Sequence, residues 1–317
     1  MPTTNTPLRY PGGKSQLTPF VIDVMRANDL FYGEYAEPFA GGSGIACTLL
    51  FEGYVSKIHI NDLDPAIYAF WHSVVSKPEA FMRRIRDTPV TVDEWRRQKA
   101  IQSARRPGIH NLGFSTFFLN RTNRSGIIGG GVIGGLRQKG DYSLDCRFHK
   151  ANLIKKIERI ATYADQIRVT NLDALDFLKQ LKVQAPTKTL INIDPPYYVQ
   201  GPELYRNWFS EKDHRALARA VGRIKPFWML TYDSVEKICD LYNKFPCFTS
   251  SLRYSAQVKR NGQELLVLDP RLNFPESLAN IGEAPKPKYP RGGRKPTILA
   301  GAARKPSGAS RSAARAR

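Results

Sequence analysis

The chain has 317 residues, 42% of them hydrophobic, and a formal net charge of +20. That apolar fraction supports a real core, and the charge points to a polyanionic partner, most simply nucleic acid. The four cysteines (Cys47, Cys146, Cys239, Cys247) and five histidines show neither C-x-x-C pairing nor metal-ligand spacing, and no apolar stretch reaches membrane-spanning length. The spacing suggests neither a zinc site nor a disulfide framework, and a cytoplasmic protein with no metal and no membrane partner is expected.

Leu8-Arg9-Tyr10-Pro11-Gly12-Gly13-Lys14 opens the chain with a tight turn that can bring Lys14 to an anion. Residues 16–26 follow as an amphipathic helix. Tyr35-Ala36-Glu37-Pro38-Phe39 reads as a strand end, Ala40-Gly41-Gly42-Ser43-Gly44 as a turn and residues 45–51 as a helix. A glycine-rich strand-to-helix turn lets a ligand approach the backbone near a helix N-terminus. A second strand runs to Asn61-Asp62, and Asp62 lies 18 residues after Gly44. That is close to the roughly 20 residues that separate such a turn from a ribose-binding acid. Asp64, before Pro65, is placed to cap the next helix, residues 66–75.

Residues 78–165 break the strand–helix alternation. Thr91 and Glu94 form a capping-box pattern before a helix over 95–104. An apolar helix then ends in Asn120-Arg121-Thr122-Asn123-Arg124, whose amides, hydroxyl and guanidinium groups suit base edges and phosphates. A glycine-rich stretch (129–135), a hairpin closing over 142–148 and a basic helix over 151–163 complete this nucleic-acid-facing insertion.

Alternation resumes with a strand over 166–170, Asn171-Leu172-Asp173 at its end and a helix over 174–181. The apolar run Leu190-Ile191-Asn192-Ile193 reads as a buried strand that Asp194-Pro195-Pro196-Tyr197 stops. Neither proline has an N–H, so neither can extend the ladder, and the loop is stiff and extended. It offers a carboxylate, a proline carbonyl and an aromatic ring, a set that suits a flat amino-bearing ring. Ser210 and Asp213 are placed to cap a helix over 211–224. A strand over 227–232, a helix over 235–242 and an antiparallel pair over 248–256 and 264–268 follow. Residues 281–317 hold ten Lys/Arg and one acid, Glu283, for +9, which leaves +11 on the first 280 residues. A disordered basic tail from residue 279 is expected to add salt-dependent phosphate affinity.

The ordered set of glycine turn, acid-ended strand and Asp-Pro-Pro-Tyr resembles the Dam-type DNA adenine-N6 methyltransferases over roughly residues 7–270, in the family's alpha arrangement. The resemblance implies a Rossmann-like methyltransferase sheet with helices on both faces (1–75 and 166–278) and an inserted, mainly helical target-recognition domain with a hairpin (76–165). It implies S-adenosyl-L-methionine as cofactor and double-stranded DNA as partner. A cognate restriction endonuclease acting on the same site, without a stable complex, is compatible with it. Tyr10, Lys14, Glu37, Phe39, Gly41, Gly44, Asp62, Asp173 and Asp194 would line the cofactor. Asp194, Pro195, Pro196 and Tyr197 would be catalytic, and Asn120, Arg121, Thr122, Asn123 and Arg124 would meet DNA. The rival readings are a non-catalytic basic nucleic-acid binder and an amino-methyltransferase acting on RNA adenine or cytosine N4. A cytosine-C5 enzyme needs a nucleophilic cysteine, whereas Cys247 lies between Phe245 and Phe248 apart from Pro246 and reads as core.

Overall fold

A computed structural model describes residues 4–10, 12–184, 188–199, 208–253 and 261–280. Seven strands form one sheet: β1 (Glu34–Glu37), β2 (Lys57–Asn61), β3 (Ile167–Thr170), β4 (Thr189–Ile193), β5 (Phe227–Asp233), β6 (Cys247–Arg253) and β7 (Asn261–Leu268). Their order is β3-β2-β1-β4-β5-β7-β6. The first five are parallel, and β7 runs antiparallel between β5 and β6. The order reverses between β1 and β4, so the crevice outside their carboxyl ends is the topological switch point, where open α/β sheets bind ligands. The antiparallel pair expected at the end of the sheet is present. Its connection through residues 254–260 lies outside the described residues, as does the basic tail expected from residue 279, except for Ala279 and Asn280, which instead end a 3-10 turn over Glu276–Asn280.

Alternation along the strands builds two cores. Leu190, Met229, Leu266 and Leu268 face one side, while Ile191, Ile193, Leu230, Leu265 and Val267 face the other. On the first side pack α1 (Thr18–Ala27), α2 (Gly44–Phe51) and α3 (Pro65–Ser76). On the second pack α8 (Ala174–Gln184), α9 (Glu211–Val221) and α10 (Glu236–Tyr242). β4 is buried at all five positions, as a central parallel strand must be, so its sequence is an unbroken apolar run around Asn192. The expected caps form: Asp64 Oδ1 accepts from Ala66 N, and Ser210 and Asp213 make a full capping box. Thr91 makes half of one, because the Glu94 carboxylate turns to Gln98 and Arg97 instead.

Between β2 and β3 lie α3 and four further helices: α4 (Pro78–Asp87), α5 (Val92–Ser103), α6 (Ile109–Thr122) and α7 (Lys150–Thr162). Their Phe81, Phe114, Phe117, Leu153 and Ile157, with Phe148 from the segment before α7, belong to the same core as Tyr35, Ile58 and Phe70, so this helical layer is continuous with one face of the sheet. Gly113 marks where α6 crosses α3; a Cβ there would lie 2.3 Å from the Ala69 carbonyl oxygen. The hairpin expected over 142–148 is corrected. That segment is a run of turns, with Cys146 N bonded to Ser143 O and Phe148 N to Asp145 O. The preceding loop is wound around Gln138, whose amide donates to Ile133 O and Gly135 O and accepts from Leu144 N. Gly134, Gly135 and Gln138 all take positive φ, and the only pairing of this loop among the described residues is the single bridge of Val132 with Asn123. No helix among the described residues is long and apolar enough to cross a membrane.

Candidate active site

The ends of β1, β2 and β3 are tied together by one side chain. The Asn61 amide donates to Pro38 O and Leu172 O, and its oxygen accepts from Leu172 N and Thr170 Oγ1, all at 2.8–3.0 Å. Asn61 is 1% exposed and every one of its hydrogen-bonding groups is used, which fixes the turn after each strand. Beyond it, Asp62 accepts from Gly41 N and Asp64 N, both at 2.9 Å. Trp71 Nε1 donates to Gly41 O at 3.0 Å from below. The glycine turn is therefore held from both sides before any ligand arrives. Gly41 has φ +44, and a Cβ on it would lie 2.8 Å from the Tyr10 ring. A Cβ on Gly44 would lie 2.3 Å from Ser15 Oγ. Tyr10, Gly41, Gly44 and Asp62 thus meet in one cradle. Phe39 stands beside it, edge-on to Phe209 at 5.6 Å. Asp173 caps α8 through Leu175 N, and its neighbour Asn171 donates to Asp62 O, which brings the exposed Asp173 to the same rim.

The second half of the site surrounds Lys14. Its ammonium lies 3.0 Å from Asp194 Oδ1 and 3.4 Å from Glu264 Oε2, and it donates to the Tyr197 hydroxyl. Tyr197 in turn donates to Glu264 Oε1 at 2.6 Å, and Thr231 Oγ1 donates to Asp194 Oδ1 at 2.8 Å. Asp194 Oδ1 is therefore doubly held, whereas Oδ2 meets no donor among the described residues and the side chain is 27% exposed. Pro195 and Pro196 are buried beside it. The loop continues onto Asp233, which accepts from Tyr198 N and Val199 N at 2.9 Å each. The Tyr197 ring is 8% exposed with Lys14 4.7 Å from its centroid, so it is anchored rather than open as a stacking face.

Electrostatics follow from this packing. Burial pushes the Glu264 carboxyl up to about 7, against the pull of the Lys14 charge. Burial also pushes Glu37 up to about 7, opposed by the nearby Ser43 and Tyr35 hydroxyls and reinforced by the Asp194 charge. Asp62 rises to about 7 as well, although its two backbone donors oppose the shift. Glu37 Oε2 is shielded from solvent with no hydrogen-bond partner among the described residues. This half of the cleft is short of positive charge.

The five residues expected to meet DNA are placed differently, and the structure corrects most of that expectation. Asn120, Thr122 and Asn123 are at most 1% exposed. The Asn120 amide brackets Arg9, accepting from its N at 2.7 Å and donating to its O at 2.9 Å, and also donates to Gly126 O. Thr122 Oγ1 donates back along its helix to Phe118 O. Asn123 donates to Ile127 O and Ile128 O and accepts from Trp95 Nε1. These amides build the protein and do not project from it. Arg121 is half-buried, donating to Arg147 O and Pro7 O. Of the five, Arg124 alone is exposed. Three residues at the Asp194 loop had no part in the sequence reading: Thr231, Asp233 and Glu264. Asp233 and Glu264 are register partners on β5 and β7. A pair of acids directly opposed across a ladder is a signal in principle, but it becomes visible only once the pairing is known.

No curated protein matches the sequence. Among solved structures, the protein LPL1258 from Legionella pneumophila is similar at 12% identity over 83% of this chain and 88% of that one, with a TM-score of 0.30. That likeness is too slight to bear on fold or function. A family model matches residues 10–258, from the Tyr10 segment through β4 and Asp194 to just beyond β6, and the chain belongs to the D12 class N6 adenine-specific DNA methyltransferase family.

Proposed function

We propose that the chain transfers a methyl group from S-adenosyl-L-methionine to the N6 amine of an adenine flipped out of double-stranded DNA, in the Dam-type alpha arrangement. One observation carries the reading: Asp194 stands at the tip of β4 with Oδ1 held by Lys14 and Thr231 and Oδ2 left for a ligand. The residues present fit the cofactor. Gly41 and Tyr10 make a close backbone cradle, Asp62 retains lone pairs for ribose hydroxyls, and the partnerless Glu37 Oε2 suits a cationic group. Tyr10, Lys14, Glu37, Phe39, Gly41, Gly44, Asp62 and Asp173 would hold it, Asp173 at the adenine end. Bound there, it would supply a methyl group on a positively charged sulfur.

The remaining work falls to the protein. An adenine N6 is a poor nucleophile because its lone pair is delocalised into the ring. It is also enclosed by the base stack, so the base has to leave the duplex at a cost of a few kcal/mol. Asp194 Oδ2 and the Pro195 carbonyl would accept the two N6–H bonds, drawing the nitrogen towards tetrahedral geometry and localising the pair. The carboxylate cannot swing away, because Lys14 and Thr231 fix its other oxygen. The Pro195 carbonyl is restrained by Pro196, which confines the residue before it to extended backbone, and by Asp233, which pins the loop two residues beyond Tyr197. Positioning and electrostatics of this kind are worth several kcal/mol without metal or covalent intermediate.

The test is incubation with labelled cofactor and duplex DNA, followed by mapping of methylated adenines. Asp194→Ala is expected to lose transfer by at least about 100-fold, the scale of a lost positioned group, with duplex binding largely kept. Full transfer by that variant would overturn the assignment.

A further inference from the structure

The described residues include a group of arginines that no acid balances. Arg121, at the end of α6, is tied by its guanidinium to the backbone of two distant segments: Nε donates to Arg147 O at 2.8 Å and Nη1 to Pro7 O at 3.3 Å. Arg9 is brought to the same place by the Asn120 amide, one residue away on α6. Burial pushes Arg121 down to about 10, with the charges of Arg9 and Arg147 adding to the effect. Burial lowers Arg9 too, again with Arg147 adding to it. The guanidiniums of Arg9 and Arg147 have no hydrogen-bond or ionic partner among the described residues, and Arg9 Nη1 is shielded from solvent. The acids outside the described residues are Glu203 and Glu283. Lys156, at the side of the cluster, donates to Thr6 O and contributes no negative charge.

Gathering guanidiniums in partial burial is unfavourable unless an anion completes the site. Each of the three keeps part of its surface exposed, so an anion can reach the group. Arginine forks match the oxygen pairs of a phosphate. The cluster also sits at the root of the loop that exposes Arg124, Arg137 and Lys139, and next to Tyr10 on the wall of the cofactor cradle. Resting on the proposed action on DNA, we propose that Arg9, Arg121 and Arg147 together hold one backbone phosphate of the duplex.

The test is duplex binding by the full chain as a function of sodium chloride concentration, read by fluorescence anisotropy. Arg147 is the residue to change, since its guanidinium makes no hydrogen bond among the described residues and its carbonyl, which accepts from Arg121, survives the substitution. In Arg147→Gln the slope of log affinity against log salt is expected to flatten measurably, by at most about one unit, with affinity lowered similarly on unrelated duplexes. Arg147→Lys keeps the charge and is expected to keep the slope. Arg223→Gln removes the same charge from an exposed site in the turn between α9 and β5 and is expected to leave the slope at the wild-type value. An Arg147→Gln slope equal to that of Arg223→Gln would overturn the proposal while leaving the methyltransferase reading intact. Thermal stabilisation of the wild type by inorganic phosphate at fixed ionic strength, lost in Arg147→Gln with no change of slope, would assign the cluster to a free anion and overturn it too. A wild-type chain that binds no duplex at all would remove both readings together.

Discussion

Replacing Lys14 by methionine removes the ammonium that lies within 3.4 Å of both Asp194 and Glu264. Lys14 and Glu264 are each 3% exposed at the side chain, so water cannot take over the lost role. Taking one partner from a buried pair costs about 3–5 kcal/mol, because the other charge is left uncompensated. Asp194, more than a quarter exposed, contributes the smaller share. The cost depends on pH, and its sign follows from Glu264. In the folded protein its carboxyl titrates at about 7 against a usual 4.5. Between those values the folded state binds more protons than the unfolded, so stability falls as pH rises through the window, by about 3 kcal/mol in all. Losing Lys14 moves the folded value higher still, since its charge is the largest influence holding Glu264 down. At pH 5.5 Glu264 is neutral in the variant and little is lost; at pH 8 the full cost appears. Urea denaturation at the two pH values measures this directly, and Lys14→Met/Glu264→Leu should recover most of the loss at pH 8, as apolar replacements of buried ion pairs do. Equal losses at both pH values, or a loss below about 1 kcal/mol at pH 8 against the 3–5 kcal/mol expected, would refute the reasoning.

Two further substitutions probe the frame of the site. Gly41→Ala places a Cβ 2.8 Å from the Tyr10 ring at a φ of +44. It should cost about 1–3 kcal/mol of stability and weaken cofactor binding, read by calorimetry, more than Gly53→Ala, whose Cβ meets nothing. Asn120→Ala removes the bracket on Arg9 and the bond to Gly126 O, and should cost about 1–3 kcal/mol for the stranded buried backbone groups. A loss of DNA base preference in that variant with unchanged stability would instead make Asn120 a base reader.

What could be read from the sequence was what is local. Asp194-Pro195-Pro196-Tyr197 announces itself because two prolines and an apolar run act over a few residues, and β4 ends where they begin. The Gly41 turn, the Asp64 cap and the Ser210 box are equally short-range. Helix α4 was legible and still missed: Pro78 opens it, and Phe81 and Ile85 repeat at helical spacing on its buried face. Asn120–Asn123 failed for a different reason. Amides and hydroxyls in a basic context have the composition of a nucleic-acid reader, yet α6 packs so deeply against α3 that the same groups must satisfy backbone inside. Lys14, Asp194 and Glu264 are separated by 180 and 70 residues, and no periodicity records that the end of β4, β7 and the N-terminal segment converge on one ammonium.

The Asn120 correction changes how the two halves of the protein relate. Asn120 pairs with both the N–H and the C=O of Arg9, as a neighbouring strand would, and Gly126 packs so close that a Cβ there would lie 2.2 Å from Arg9 O. The next residue, Tyr10, is the wall against which Gly41 must be glycine, and Gly41 is held in turn by Asp62 and Trp71. Four residues on from Tyr10, Lys14 holds Asp194. Helix α6, the N-terminal segment, the glycine turn and the Asp194 loop therefore share one chain of short, mostly buried contacts. A target strand docked against the 120–148 region would be referenced to the same frame as the methyl donor. Transfer needs that registration, because a misplacement of about 1 Å can cost 100-fold in rate. On the proposed action on DNA, the amides of Asn120 and Asn123 would serve recognition by fixing where the contacting side chains stand rather than by touching DNA themselves.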